Sequence, residues 1–450
     1  MIFTPQQAIL ELGDAFYDPV TPANFPKTVL RFRNDRAAAS IGLDALSDDA
    51  WRAHFGRFQP LAGAQPQPLA LRYHGHQFRV YNPEIGDGRG FLFAQMRDDA
   101  GRLMDLGTKG SGQTPYSRFG DGRLTLKGAV REILATEMLE ALGVHTSRTF
   151  SVIETGEELH RNDEPSPTRS AVLVRLNHGH IRIGTFQRLA YNQDTEGLAT
   201  LTAYVLRHYY GEEAGDDAPR RLLAHVARRT AALAGQFMAA GFVHGVLNSD
   251  NINVTGESFD YGPWRFTPSW APAFTAAYFD QSGLYAYGRQ PEAIYWDVMQ
   301  LASSLRLIAE EEPLIEALEG YAPAYHDAVT AAILWRLGLL PRGVEHDRPL
   351  VQSLERALST TGAPLDRFYF DAFGGQLPAD YGEAFGEFRE QLAGYAPRKP
   401  RDHPYWSGDH PCAMLIDEVE AIWSPIAAAD DWQPLHDKVA AIRRFAEALA

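Results

Sequence analysis

The sequence predicts an α+β fold in two lobes, a strand-rich first lobe holding one main helix and a helical second lobe, with extra helical segments at the N- and C-terminal ends. Three observations predict it. Runs of β-branched and aromatic residues between turn signals crowd residues 69–182. A single apolar stripe at helical spacing interrupts them, and after about Thr185 long stretches of 3.6 period take over. A chain of 450 residues, 45% hydrophobic and 11% aromatic, can bury a substantial core in such an arrangement.

Residues 1–60 mix short helical patterns with Pro-rich loops and read as an extension wrapping the lobes. Residues 61–184 form the strand-rich lobe and 185–450 the helical lobe with its C-terminal extension. FRVYNPEI, FLFAQMR, RLMDLGTKG, TFSVIETGEEL and SAVLVRL read as strands. Between them, Leu124 to Leu142 reads as a helix, with Leu126, Val130, Ile133, Leu134, Met138 and Leu139 on one face and Gly143 as its stop. Gly197 to Tyr210 and Ala218 to Gly241 read as long helices, followed by a loop-and-strand interlude, Phe242 to Phe266. Helices resume from Pro291, Tyr395 to Cys412 reads as a Pro-rich loop, and Trp432 to Ala450 as a last helix.

Composition excludes several classes. The 42 basic and 57 acidic residues give a net charge of −15, so no general nucleic-acid binding is expected, since phosphate neutralisation needs a basic field. The one cysteine, Cys412, permits no intrachain disulfide and points to a reducing compartment. The N-terminal residues carry no leader pattern, and the longest weakly polar run, Ala231 to Val243, is too short to span a bilayer. A cytoplasmic protein is expected, with no membrane partner; its oligomeric state is not legible.

Four motifs carry chemistry. Gly86-Asp87-Gly88-Arg89-Gly90 lies between two strand-like segments, where small residues let backbone N–H groups approach a phosphate and Arg89 adds charge; a plain hairpin turn is the competing reading. Lys109 ends a strand in DLGTKGSGQTPYSRFGDGR, and Glu132 lies in the helix that follows, a pairing that kinase-like sites use to hold a lysine on phosphate; a surface lysine and a solvated glutamate are the alternative. A second tight turn, Gly120-Asp121-Gly122, precedes that helix. Arg175 and Arg182 flank the junction of the lobes, where guanidinium groups can bind phosphate oxygens, or simply pair with surface acids. The strongest element is His244-Gly-Val-Leu-Asn-Ser-Asp250-Asn251, with Asp260-Tyr261-Gly262 nine residues on. The His-to-Asn spacing matches the kinase catalytic loop and Asp-Tyr-Gly stands for Asp-Phe-Gly. Asn251 and Asp260 would supply oxygen ligands to a magnesium ion. Val246 occupies the slot of the kinase aspartate and cannot accept a proton, which leaves Asp250 as the candidate base; a capping Asn/Asp cluster with a turn is the bland reading. His74-Gly-His76 and His178-Gly-His180 read as structural histidines for want of a third ligand, Cys412 as inert, and Asp297 as a brace for the loop at His244.

With these residues assembled, the chain resembles the selenoprotein O family, also called the YdiU family, on RYHGHQF, NPEIGDGRG, DLGTKGSGQTPYSRFGDGR, HGVLNSDN and DYGP, from about Leu69 to Leu305. The resemblance implies a two-lobed, protein-kinase-like pseudokinase fold. It further implies transfer of AMP from ATP, or UMP from UTP, to Ser, Thr or Tyr hydroxyls of protein substrates, releasing pyrophosphate, with the triphosphate bound in the orientation opposite to that in kinases. It implies that Gly86, Gly88, Arg89, Lys109, Asp121, Gly122, Arg175 and Arg182 contact the nucleotide, with Glu132 paired to Lys109. Asn251 and Asp260 would hold Mg²⁺ or Mn²⁺, and Asp250 would be the base. Some family members carry a selenocysteine or cysteine near the C-terminus; here the sequence ends RRFAEALA, without one.

Overall fold

A computed structural model describes residues 2–162 and 164–450. Its centre is a nine-stranded sheet in which every pairing is antiparallel. Along the sheet the order is Tyr17–Pro19, Leu69–Leu71, Leu92–Arg97, Leu103–Lys109, Thr168–Asn177, Arg148–Leu159 and Val29–Arg33. Thr4–Gln6 joins beside Leu92–Arg97, and Leu124–Thr125 beside Thr168–Asn177.

The middle strands are buried on both faces, which explains their nearly continuous apolar sequence. Side chains alternate, so Val172, Val174 and Leu176 face one way and Leu173 and Arg175 the other. The first set packs under Trp51 and Phe55 of the helix Asp48–Phe55, where Trp51 stacks on Phe150 at 4.8 Å between ring centroids. Leu173, on the second face, joins the core built on the helix Leu126–Ala141. The N-terminal segment therefore does more than wrap: it supplies the outer strands Thr4–Gln6, Tyr17–Pro19 and Val29–Arg33 and one covering layer.

Thr125 caps the helix Leu126–Ala141 by accepting from Gly128 N–H at 3.1 Å, so the expected helix loses its first two residues to a short strand. The segment FRVYNPEI also departs from expectation. Its strand Val80–Asn82 pairs with Gly75–Gln77 in a separate two-stranded hairpin, outside the main sheet.

The helical part is organised around Ala218–Ala240, which packs against Gln290–Leu305, Glu311–Glu319 and Tyr321–Arg336. Pro219 near its start and Gly241, in the left-handed region, just past its end mark its limits. Gly235 is where it meets Tyr321–Arg336 most closely: a Cβ there would stand 2.6 Å from Val329 N. The stretch expected as one helix from Gly197 to Tyr210 ends in a π-helical turn, Leu206–Tyr210. The two C-terminal helices, Ile416–Ala429 and Gln433–Leu449, return to the helix Leu126–Ala141: Arg443 grips buried Glu137 through two bonds of 2.7 and 3.0 Å. Among the described residues no helix is long and apolar enough to cross a membrane.

Candidate active site

Strand periodicity puts the first two cations together. Lys109 lies opposite Leu173 and Gly107 opposite Arg175, so Lys109 and Arg175 share a face two positions apart. The same face receives Glu132 from the helix Leu126–Ala141. Lys109 Nζ lies 2.7 Å from Glu132 Oε2 and 2.7 Å from Asp260 Oδ1, while Arg175 reaches Asp260 at 3.5 Å and Glu132 at 3.7 Å. Lys109 and Glu132 are 5% and 1% exposed, so this is an ion pair held away from water. The expected Lys109–Glu132 pairing is present, and the surface reading of both residues is excluded.

Arg182 enters from the start of the helix Ile183–Tyr191 and is equally buried. Its guanidinium bonds the Asp250 carbonyl at 3.0 Å and Asp87 at 3.2 Å, and lies over the Tyr73 ring at 4.2 Å. Burial opposes its charge, but the fields of Tyr73, Asp87, Asp260 and Asp250 outweigh this and raise its pKa further. The Nε atoms of Arg175 and Arg182 are buried without a hydrogen-bond partner among the described residues.

These cations form the inner wall of a cleft of about 540 Å³ that Gly86, Gly88, Arg89, Asp121, Gly122, Asp250 and Asp260 also line. The glycine loop is packed too closely for side chains. A Cβ on Gly86 would meet the Tyr116 ring at 2.5 Å, one on Gly88 the Tyr116 carbonyl at 2.9 Å, and one on Gly90 the Thr108 carbonyl at 2.0 Å. Gly122 has φ +69°, and a Cβ there would stand 2.3 Å from the Gly112 carbonyl. Asp121 stands at the rim, held by Arg161 at 2.8 Å and bonded by Arg123 N–H at 2.9 Å.

The segment 244–262 brings the carboxylates. His244 is buried, donates from Nε2 to the Phe259 carbonyl (3.1 Å), and donates its backbone N–H to Gln290 Oε1 (3.0 Å). The brace expected from Asp297 is therefore supplied by Gln290. Asp297 is itself buried, its Oδ2 unpaired among the described residues, and burial, reinforced by the charge of Asp250, raises its pKa well above the ordinary range. The stretch between Asn251 and Asp260 is not a simple hairpin. Its residues bridge to separate partners, Asn253 to Arg182 and Ser258 to Thr146.

Asp250 and Asp260 sit in opposite electrostatic settings. Burial pushes the Asp250 carboxyl up to about 6 against the pull of Arg182, and its Oδ1 has no hydrogen-bond partner among the described residues. Burial would raise Asp260 too, but Lys109, Arg175, Arg89 and Arg182 hold it well below the usual carboxylate range. Two carboxylates thus stand in one cleft with separated proton affinities. Asp260 has φ +63°, a backbone state in which an aspartate is uncommon.

Among the described residues no group of three or more His, Cys, Asp and Glu side chains is placed to hold a metal by itself. The donors suit a hard cation that shares its shell with phosphate and water. Asp260 offers a fixed carboxylate, and Asn251 donates its amide N–H to Val246 O at 2.9 Å, which turns its carbonyl oxygen elsewhere. The His-Gly-His pairs are engaged within the fold. His74 meets Tyr81 Oη at 2.8 Å, His76 meets Gln187 at 2.7 Å, His178 packs on Tyr209, and His180 meets Asp105 at 3.1 Å. Burial pushes the Cys412 thiol up to about 11, in keeping with an inert cysteine.

The sequence alone marks no individual role for Asp87, Tyr73 or Phe119, and gives Gly90 only a share in the glycine turn. All four lie inside the motifs named above, but only the fold puts Asp87 and Tyr73 against Arg182. The close approach of Gly90 to Thr108 and the position of Phe119 at the rim depend on long-range packing with no local signal.

The profile of a family described as protein adenylyltransferase SelO matches residues 2–376. Among curated relatives, the protein nucleotidyltransferase YdiU of Synechocystis is 42% identical over 97% of both chains. That of Synechococcus elongatus is 43% identical over 96% of this chain and 93% of its own, and that of Azotobacter vinelandii 35% identical over 91% and 82%. The chain belongs to the protein adenylyltransferase SelO family of nucleotidyltransferases.

Proposed function

We propose that this chain transfers AMP from ATP, or UMP from UTP, to a Ser, Thr or Tyr hydroxyl of a protein and releases pyrophosphate. The arrangement is read as two-lobed and kinase-like, with residues 61–184 as the smaller lobe, 185–450 as the larger, and the nucleotide between them in a cytoplasmic protein. One observation carries the reading. The deepest part of the cleft gathers Lys109, Arg175 and Arg182, while Val246 replaces the proton acceptor that a kinase needs and Asp250 stands beside Arg182.

A triphosphate with its β- and γ-phosphates among the buried cations turns its α-phosphorus toward Asp250. The backbone of Gly86 and Gly88, with Arg89, cradles the chain of phosphates, and Asp121 and Gly122 bound it at the rim. Asp250 orients the acceptor hydroxyl and takes its proton; a buried carboxylate with a pKa of about 6 is ionised near neutral pH and still basic. The acceptor oxygen attacks the α-phosphorus, and the bond to the β-phosphate oxygen breaks. Lys109, Arg175 and Arg182 hold the departing pyrophosphate in place and offset its charge. Asn251 and Asp260 would hold Mg²⁺ or Mn²⁺, which when bound neutralises phosphate charge.

The test is label transfer in the presence of Mg²⁺ or Mn²⁺. Protein that acquires label from α-labelled ATP and not from γ-labelled ATP supports the reading. Label from the γ-position alone would mean phosphotransfer in the ordinary polarity, and metal-dependent ATP binding without any covalent product would mean a nucleotide-sensing scaffold.

A further inference from the structure

The outer end of the cleft is built differently from its inner end. Four aromatic or aliphatic side chains line the cleft: Tyr73, Ile85, Tyr116 and Phe119. Tyr73 and Ile85 are buried, with Tyr73 under the Arg182 guanidinium. Tyr116 is fixed against Gly86, and its hydroxyl bonds Asp18. Phe119 alone among these is fully exposed, at 107%, on the tip of a loop tied to the glycine loop through Ser117 Oγ to Gly88 O (2.5 Å) and Thr114 Oγ1 to Asp87 O. These bonds tie the loop that carries the exposed ring to the glycine loop.

Three of the polar side chains around it are already committed. Gln113 bonds Gly120 O at 2.9 Å, Arg123 pairs with Glu157 at 2.7 Å, and Arg161 pairs with Asp121 at 2.8 Å. Arg118, exposed and with φ +51°, has no ion-pair or hydrogen-bond partner among the described residues. A nucleoside triphosphate whose phosphates occupy the cationic inner end presents a flat heteroaromatic ring at its other end. The outer end offers that ring a face, and few uncommitted groups to read its edge.

Resting on the proposed nucleotidyl transfer, we infer that Phe119, flanked by Arg118, is the platform on which the nucleobase stacks, and that it holds purine and pyrimidine bases by their faces with little discrimination between them. Every base has a π-face, so stacking tolerates changes of base that edge-reading hydrogen bonds would reject.

The experiment uses the full chain with Mg²⁺, α-labelled ATP and UTP, and inorganic tripolyphosphate as a competitor that has no base. Phe119→Ala raises the KM for both nucleotides by about tenfold, and Phe119→Trp restores it. The inhibition constant of tripolyphosphate stays within about twofold of the parent, because that ligand fills only the inner end. An ATP KM unchanged in Phe119→Ala overturns the platform. So does parallel weakening of tripolyphosphate, which would mean that the loop had merely collapsed. A loss confined to one of the two nucleotides overturns face-only recognition. A parent protein that transfers no α-label from either nucleotide removes the transferase reading itself.

Discussion

Replacing Asp250 with asparagine is expected to make the free protein more stable at alkaline pH while abolishing transfer. The fold raises the Asp250 carboxyl from 3.8 to about 6, chiefly by burial. A raised value means that the folded state favours the protonated acid. That preference is fully present below the unfolded value near 3.8 and is lost as pH rises through about 6, above which the folded protein carries the whole cost of a buried anion. At ~1.4 kcal/mol per pH unit the rise corresponds to about 3 kcal/mol. Asparagine occupies nearly the same volume and has nothing to ionise. Without nucleotide or metal, Asp250→Asn should therefore melt a few degrees above the parent at pH 8, and the gap should close toward pH 4. Scanning calorimetry at the two pH values, paired with α-label transfer at pH 8, is the assay. A variant less stable than the parent at pH 8, or a gap independent of pH, would refute the electrostatic argument. Retained transfer would refute the assignment of Asp250 as base.

The remaining expectations concern the inner wall. Lys109→Ala leaves Glu132 buried with only Arg175 at 3.7 Å, so it should lose about 3–5 kcal/mol of stability as well as nucleotide affinity. The double variant Lys109→Met/Glu132→Gln should recover much of the stability, read by thermal melting, and none of the affinity, read by nucleotide titration. Gly90→Ala forces a Cβ to 2.0 Å from the Thr108 carbonyl. Prying that contact apart should cost about 1–3 kcal/mol, visible as a lower melting temperature, and should weaken ATP binding by shifting the strand end that carries Lys109.

The parts legible in the sequence are those with a local period or a chemistry-specific spacing. Runs of strand-favouring residues between turn signals located the strand ending at Lys109 and the strand carrying Arg175; one stripe located the helix of Glu132. Once those positions are known, the shared face of Lys109 and Arg175 follows from the antiparallel register. What stayed hidden depends on distant residues. Thr4–Gln6 and Tyr17–Pro19 are three-residue strands whose only support is the neighbour they pair with, so no window of sequence distinguishes them from loop. Val80–Asn82 has the residues of a strand and folds as one, yet its partner is Gly75–Gln77 and not the main sheet. Asp87 carries no pattern of its own and becomes part of the site only because Arg182 arrives from 95 residues away.

The position of Asp260 depends on three independent supports. Its left-handed backbone is uncommon for an aspartate and persists only where surrounding contacts over-determine it. Those contacts come from Lys109 on the sheet, from Arg175 on the next strand, and from the buried stretch 252–259 that Asn253 and Ser258 pin to Arg182 and Thr146. Glu132 shares Lys109 with Asp260, and its helix is in turn held by Arg443 on Glu137 and by Glu420 on Lys127. The C-terminal helices, remote from the cleft in sequence, therefore bear on the lysine through the helix they clamp. An acid placed this way keeps its charge and direction before any ligand arrives. That is the condition under which a site dominated by charge neutralisation loses least to reorganisation when a triphosphate enters.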